Sequence, residues 1–170
     1  MISSEIYENC IEQYSDLILR IAVNYCKNME DAKDIVQDVF LKLLKSDKIF
    51  SDEEHIKHWL IRVTVNTCKN YLSSGFVKRT LCMPEEQLHE AMDPIGQQFY
   101  HEDESGERVF LAVKNLPDKL RIVVMLYYYE DYTVSEISSI LKKSESVILT
   151  RLHRARKKLK EELKGVWQDE

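Results

Sequence analysis

The 170-residue chain is 44% hydrophobic and 31% charged, a balance that allows a packed core and excludes global disorder. With four Gly and three Pro it has little material for hairpins or Gly-rich phosphate loops, so an all-α protein is expected. Its formal net charge of −5 does not exclude a nucleic-acid partner: residues 81–107 hold eight acids and no Lys or Arg, whereas residues 142–164 hold nine bases and three acids.

The first predicted helix covers residues 5–27, with Ile6, Cys10, Tyr14, Leu17, Ile18, Ile21 and Tyr25 at spacings of three and four. "KNMEDAKDIVQDVFLKLLKS" follows, with Ile35, Val36, Val39, Phe40, Leu43 and Leu44 forming one broad apolar face. On another face Asp31, Asp34 and Asp38 stand at i, i+3 and i+7. Carboxylates so placed can grip a cation, but a di-metal bundle needs matching acids and histidines on partner helices. The one Glu-x-x-His, Glu86 to His89, lies alone in another segment, so no metal is expected. An acid in a helix's first turn also complements the dipole, which accounts for Asp31 without ligation. Asp34, Gln37, Asp38 and Leu41 remain as an acidic-polar surface suited to a basic protein partner.

A loop, "DKIFSDEE", leads to a third helix over residues 55–73. Trp59, Asn66 and Asn70, spaced seven and four, share a face flanked by Arg62 and Lys69. An indole, two amides and two cations suit stacking on unpaired bases and contacts to a nucleic-acid backbone. The competing reading is a core tryptophan, but Leu60, Val63 and Thr67 supply a separate apolar side. His55 and His58 have no third ligand near them in sequence and are expected at the surface. Residues 1–75 are expected to form one domain, and the acidic, Pro- and Gly-punctuated residues 76–106 a flexible linker.

A second domain is expected over residues 107–170. "ERVFLAVKNL" makes a short helix, Pro117 opens the next, and "DYT" ends it. Thr133 with Glu136 matches a capping box for a helix over residues 134–141, and Ser144 caps the last helix after the turn Lys142-Lys143-Ser144. That helix contains "VILTRLHRARKKL": Val147, Ile148, Leu152, Ala155 and Leu159 on one side, Leu149, Thr150, His153, Arg154 and Lys157 on another. Two short helices, a tight turn and a basic second helix have the organisation of a helix-turn-helix. A solvated charged face or a membrane-surface helix is the alternative, the latter disfavoured by a narrow apolar side. The longest apolar run, eight residues from Ile122, is far short of the roughly 20 that span a bilayer. Four cysteines without a C-x-x-C pair, and no charged-then-apolar leader, lead to an expected reducing cytoplasm and free thiols. No nucleophile–base pair, phosphate loop or zinc spacing appears, so neither catalysis nor a cofactor is expected.

Taken in order, three segments resemble the sigma-70 family of bacterial RNA polymerase specificity factors, in its extracytoplasmic-function (ECF) class. "DAKDIVQDVFLKLL" resembles the region 2 helix that docks on the polymerase clamp. "HWLIRVTVNTCKNYL" resembles the helix that melts and reads the minus-ten element, and "LPDKLRIVVMLYYYEDYTVSEISSILKKSESVILTRLHRARKKL" resembles region 4, which reads the minus-thirty-five element. The resemblance implies that Asp31, Asp34, Gln37, Asp38 and Leu41 contact core polymerase. It implies that Phe50 and its loop, with Trp59, Arg62, Asn66, Lys69 and Asn70, capture flipped minus-ten bases. Leu149, Thr150, His153, Arg154 and Lys157 would face the minus-thirty-five major groove, with Arg151 and Arg156 nearer phosphate or acidic partners. Polymerase clamp and flap, promoter DNA and an anti-sigma factor, membrane-anchored in many cases, are the implied partners.

The sequence departs from the family pattern at the turn, where the usual Gly is Lys142 and the following apolar residue is Lys143. Where many members carry Gly-Thr-Val-Lys, this chain has Ser146-Val147-Ile148-Leu149, which implies an altered minus-thirty-five preference. Only Lys78 and Arg79 stand for the basic cluster that many members carry after the third helix. The competing function is a helix-turn-helix regulator that binds duplex DNA without polymerase.

Overall fold

Three side-chain caps start the helices of the first unit. Ser3 accepts from the Ile6 N–H (3.3 Å) and opens α1 (Ser4–Val23). Asn28 accepts from Asp31 N–H (2.8 Å) to open α2 (Met29–Leu44), and Asp52 accepts from His55 N–H (2.7 Å) to open α3 (Glu53–Ser73). Each satisfies one of the four backbone donors that a helix start leaves without an internal partner. The computed structural model describes residues 1–26, 28–74 and 104–164. The chain divides into two compact units, Met1–Met92 and Asp93–Glu170.

In the first unit all three helices pack on one another. Ile18 and Ile21 of α1, Leu43 of α2, and Leu60 and Ile61 of α3 are fully buried at their centre. Each such side chain contributes about 1.5–3 kcal/mol over its exposed state. The buried stripes are narrower than periodicity suggests. Ile6 and Leu44 are exposed, Val36 and Val63 half-buried, and the α2 core face is Ala32, Ile35, Val39, Phe40 and Leu43. Leu43 is fully buried and Leu44, 100° further round the same last turn, is 41% exposed, so the helix face, not the helix end, decides. Cys10, Cys26 and Cys68 are buried free thiols. Burial, and secondarily the Glu53 charge, pushes the Cys10 thiol up, which favours its protonated form.

The second unit holds α4 (Glu104–Asn115), α5 (Asp118–Val124), α6 (Val134–Leu141) and α7 (Glu145–Glu162). α4 begins inside the stretch expected to be linker; residues 75–103, with Lys78, Arg79, Glu86 and His89, lie outside the described residues. Pro117 is the N-cap of α5 rather than its first helical residue, with φ −51° and ψ 141°. α5 runs on into a π-turn, Met125–Tyr129, closed by Glu130 N–H to the Met125 carbonyl (3.1 Å). Asp131 at φ 56° then redirects the chain. The Thr133–Glu136 capping box is formed in both directions, at 3.2 and 2.7 Å. Lys142 sits in the left-handed region (φ 52°, ψ 48°), and Ser144 caps α7 by accepting from Val147 N–H at 3.3 Å. Val113, Leu116, Leu120 and Val124 close around Ala155 of α7, with Val109 and Leu159 against them.

Candidate nucleic-acid and protein interfaces

α7 buries Ile148, Leu152 and Ala155, and half-buries Leu159. Val147, expected on that side, is instead exposed: the helix angle places it on the flank opposite Leu149, at the edge of the turn. Leu149, Thr150, His153, Arg154 and Lys157 are all exposed, and Arg151 is half-buried. Among the described residues, His153, Arg154 and Lys157 make no hydrogen bond or ion pair, so their donors are available to a partner. Arg156 is differently used. Its Nε donates to the Tyr128 hydroxyl (2.7 Å), and its guanidinium lies 5.7 Å from both the Tyr127 and Tyr128 ring centres. The Tyr128 hydrogen bond pushes the Arg156 pKa further up. The resemblance implies phosphate or acidic partners for this guanidinium; within the chain it is engaged with the π-turn.

In the first unit, the outer face of α2 presents Asp34, Gln37 and Leu41 to solvent, with Leu41 47% exposed. Asp38 pairs with Lys42 at 2.7 Å, and Lys42 also donates to Thr67 Oγ1 (2.9 Å), which ties this face to α3. Asp31 is half-buried and engaged: Oδ2 accepts from the Tyr71 hydroxyl and from Asn28 Nδ2 (3.0 Å). Its carboxylate therefore fastens the start of α2 to the end of α3. A shallow cavity of about 420 Å³ runs between α2 and α3 along Asp31, Asp34, Asp38, Lys42, Asn70 and Tyr71. Asn70 thus stands at the border of the acidic surface, apart from the aromatic corner with which its spacing grouped it.

That corner forms where the α2–α3 loop meets α3. The Phe50 ring packs edge-on against Trp59 (5.6 Å between centroids) and His55 (5.3 Å). Phe50, Trp59 and Arg62 are half-buried, whereas Asn66 and Lys69 are exposed. Trp59 lies outside the core, and both it and Phe50 are half-buried. His55, expected at the surface, is half-buried and also fastens the loop: Ser51 N–H donates to its Nδ1 at 3.3 Å. The His55 backbone N–H holds the Asp52 carboxyl below the usual carboxylate range, helped by the Ser51 hydroxyl. Ile49, 89% exposed, stands beside Phe50 on the rim of an apolar groove of about 720 Å³ that also involves Met1, Ile6, Cys10 and Ile56. No helical spacing marks this groove, because it joins the start of α1 to a loop some 45 residues later.

Among the described residues, no three His, Cys, Asp or Glu side chains gather as metal ligands, and no helix is long and apolar enough to cross a membrane. The Sigma-70 region 2 family model matches residues 10–75, and the Sigma-70 region 4 model matches residues 107–159, together more than half of the chain. The chain belongs to the sigma-70 family. Its relatives place it in the ECF class, and its function is that of an alternative sigma factor in transcription initiation. RNA polymerase sigma factor SigV of Bacillus subtilis is 29% identical over 154 residues, spanning 91% of this chain and 89% of that protein. ECF sigma factor SigM of the same organism is 26% identical, with 94% of each chain covered. A solved structure of the sigma factor RpoE in complex with the anti-sigma factor NepR, from Bartonella quintana, shares the fold. It has a TM-score of 0.69 at 18% identity, over 95% of this chain and 98% of that one. CnrH, solved with the cytosolic domain of CnrY, has a TM-score of 0.62 at 18% identity, over 95% of this chain and 90% of that one. A helix-turn-helix regulator acting without polymerase would not account for the region 2 match over residues 10–75.

Proposed function

We propose that this sigma factor divides promoter recognition among three surfaces, on domains of residues 1–75 and 107–170 joined by the acidic tether 76–106. Asp34, Gln37, Asp38 and Leu41 dock on the core polymerase clamp, with Asp31 anchoring the edge of that face. Phe50, Trp59, Arg62, Asn66, Lys69 and Asn70 receive the melted minus-ten strand. Extruding a base costs a few kcal/mol, and stacking on an aromatic corner offsets it. Leu149, Thr150, Arg151, His153, Arg154 and Lys157 face the minus-thirty-five major groove, while the second unit meets the polymerase flap. The chain works in the cytoplasm without catalysis or cofactor of its own, since the polymerase performs the phosphoryl transfer. An anti-sigma protein, membrane-anchored or soluble, is its regulatory partner, a reading supported by the complexes in which structural relatives were captured.

The observation that carries this reading is the exposed face of α7: behind a capped turn, five residues suited to base and phosphate contact stay in solvent while Ile148, Leu152 and Ala155 hold the helix in place. The test separates the surfaces. Asp34→Lys should weaken binding to core polymerase. Asn66→Ala should leave that affinity intact and impair promoter opening, read by permanganate reactivity of unpaired thymines. Equal loss of polymerase affinity in both variants would refute the division.

A further inference from the structure

α7 carries an exposed leucine where its neighbours in the core are covered. Ile148 and Leu152 are at most 1% exposed, yet Leu149 is 54% exposed and lies outside the cluster around Ala155. α7 begins at Glu145, so Leu149 falls in the N-terminal part that a helix-turn-helix presents to base edges. At 100° per residue His153 follows Leu149 one turn later on the same flank, and it too is exposed. On the adjacent outward line, the Thr150 hydroxyl donates to the Ser146 carbonyl at 2.9 Å. Its proton is used by the backbone, which leaves the oxygen as an acceptor only, with the Thr150 methyl as an apolar group beside it.

An apolar side chain in the major groove gains by covering another apolar group, and the groove offers one, the C5-methyl of thymine. We infer that Leu149, flanked by the Thr150 methyl, selects thymine at one position of the upstream promoter element by covering its 5-methyl group. The inference rests on α7 being the upstream reader. It makes Leu149 a specificity-determining residue, distinct from Arg154 and Lys157, whose charges serve hydrogen-bonded bases or phosphates.

The experiment uses holoenzyme, the full chain with core polymerase, and a duplex pool randomised at the upstream element. Each thymine of the selected sequence is then replaced in turn by deoxyuridine, which keeps the hydrogen-bonding pattern and removes only the methyl. At one position the replacement should weaken wild-type binding about three- to fivefold, the worth of one buried methyl. Leu149→Ala should abolish that sensitivity, and Leu149→Met should restore it. Indifference of the wild type to deoxyuridine at every thymine, a selected element without thymine, or undiminished methyl sensitivity in Leu149→Ala would each overturn the inference. Failure to select any upstream sequence would instead overturn the assignment of α7 on which it stands.

Discussion

At Lys142 the backbone occupies φ 52° and ψ 48°, a region where a Cβ crowds the following carbonyl. The turn between α6 and α7 needs this left-handed step, because the Lys143 N–H then reaches back to the Ser138 carbonyl (3.1 Å) and closes the helix end. Lys142→Gly should therefore stabilise the chain by about 0.5–1 kcal/mol, the relief of strain exceeding the added freedom of the unfolded chain, as a raised urea midpoint. An unchanged or lower midpoint would show that the Lys142 side chain offsets its own strain. Asp52 gives a second test. Its folded pKa lies below the ordinary carboxylate value, so its contribution is complete above that value and disappears as pH falls through the folded one. Asp52→Asn keeps a capping oxygen without titrating. Wild type should lose stability relative to this variant only below about pH 4, in parallel urea titrations.

α7 is held by two unlike contacts. Ala155, fully buried, lets the helix approach Val113, Leu116, Leu120 and Val124 closely. Ala155→Leu overfills that space and should cost about 1–3 kcal/mol, with upstream DNA binding falling as the helix shifts. Arg156, the next residue, ties α7 to Tyr127 and Tyr128, whose rings the π-turn sets 4.9 Å apart. Arg156 and Tyr128 are exposed, so a double-mutant cycle of Arg156→Ala with Tyr128→Phe should give a coupling of about 1 kcal/mol or less. A much larger value would mean that the π-turn and α7 fold as one cooperative element.

Over the whole molecule, charge is distributed against its sum. The chain carries −5 overall, but the exposed face of α7 displays Arg154 and Lys157 without acidic partners among the described residues. Duplex binding there should follow the counterions that such cations release, not the net charge. Lys157→Ala in holoenzyme should weaken upstream binding evenly across sequences and lower the slope of log affinity against log salt by about 0.9. An unchanged slope would remove Lys157 from the phosphate-contacting set. The division into two units suits this arrangement, since each buries its own core and each carries its own exposed face.

The sequence by itself determined the helices and most of their ends. Caps such as Thr133 with Glu136, or Ser144 with Val147, act over three residues, and apolar periodicity repeats every turn, so both are written locally. It also marked the outward residues of α7, because a basic flank beside an apolar stripe has one sensible orientation. Only tertiary packing decided which apolar residues remain uncovered, Ile6, Leu44 and Val147 among them, and which polar residues are already engaged. Asp31 meets Tyr71 across 40 residues, and Arg156 meets Tyr128 across 28. Such pairings depend on where whole helices come to lie, a consequence of the packed core that no short-range spacing encodes.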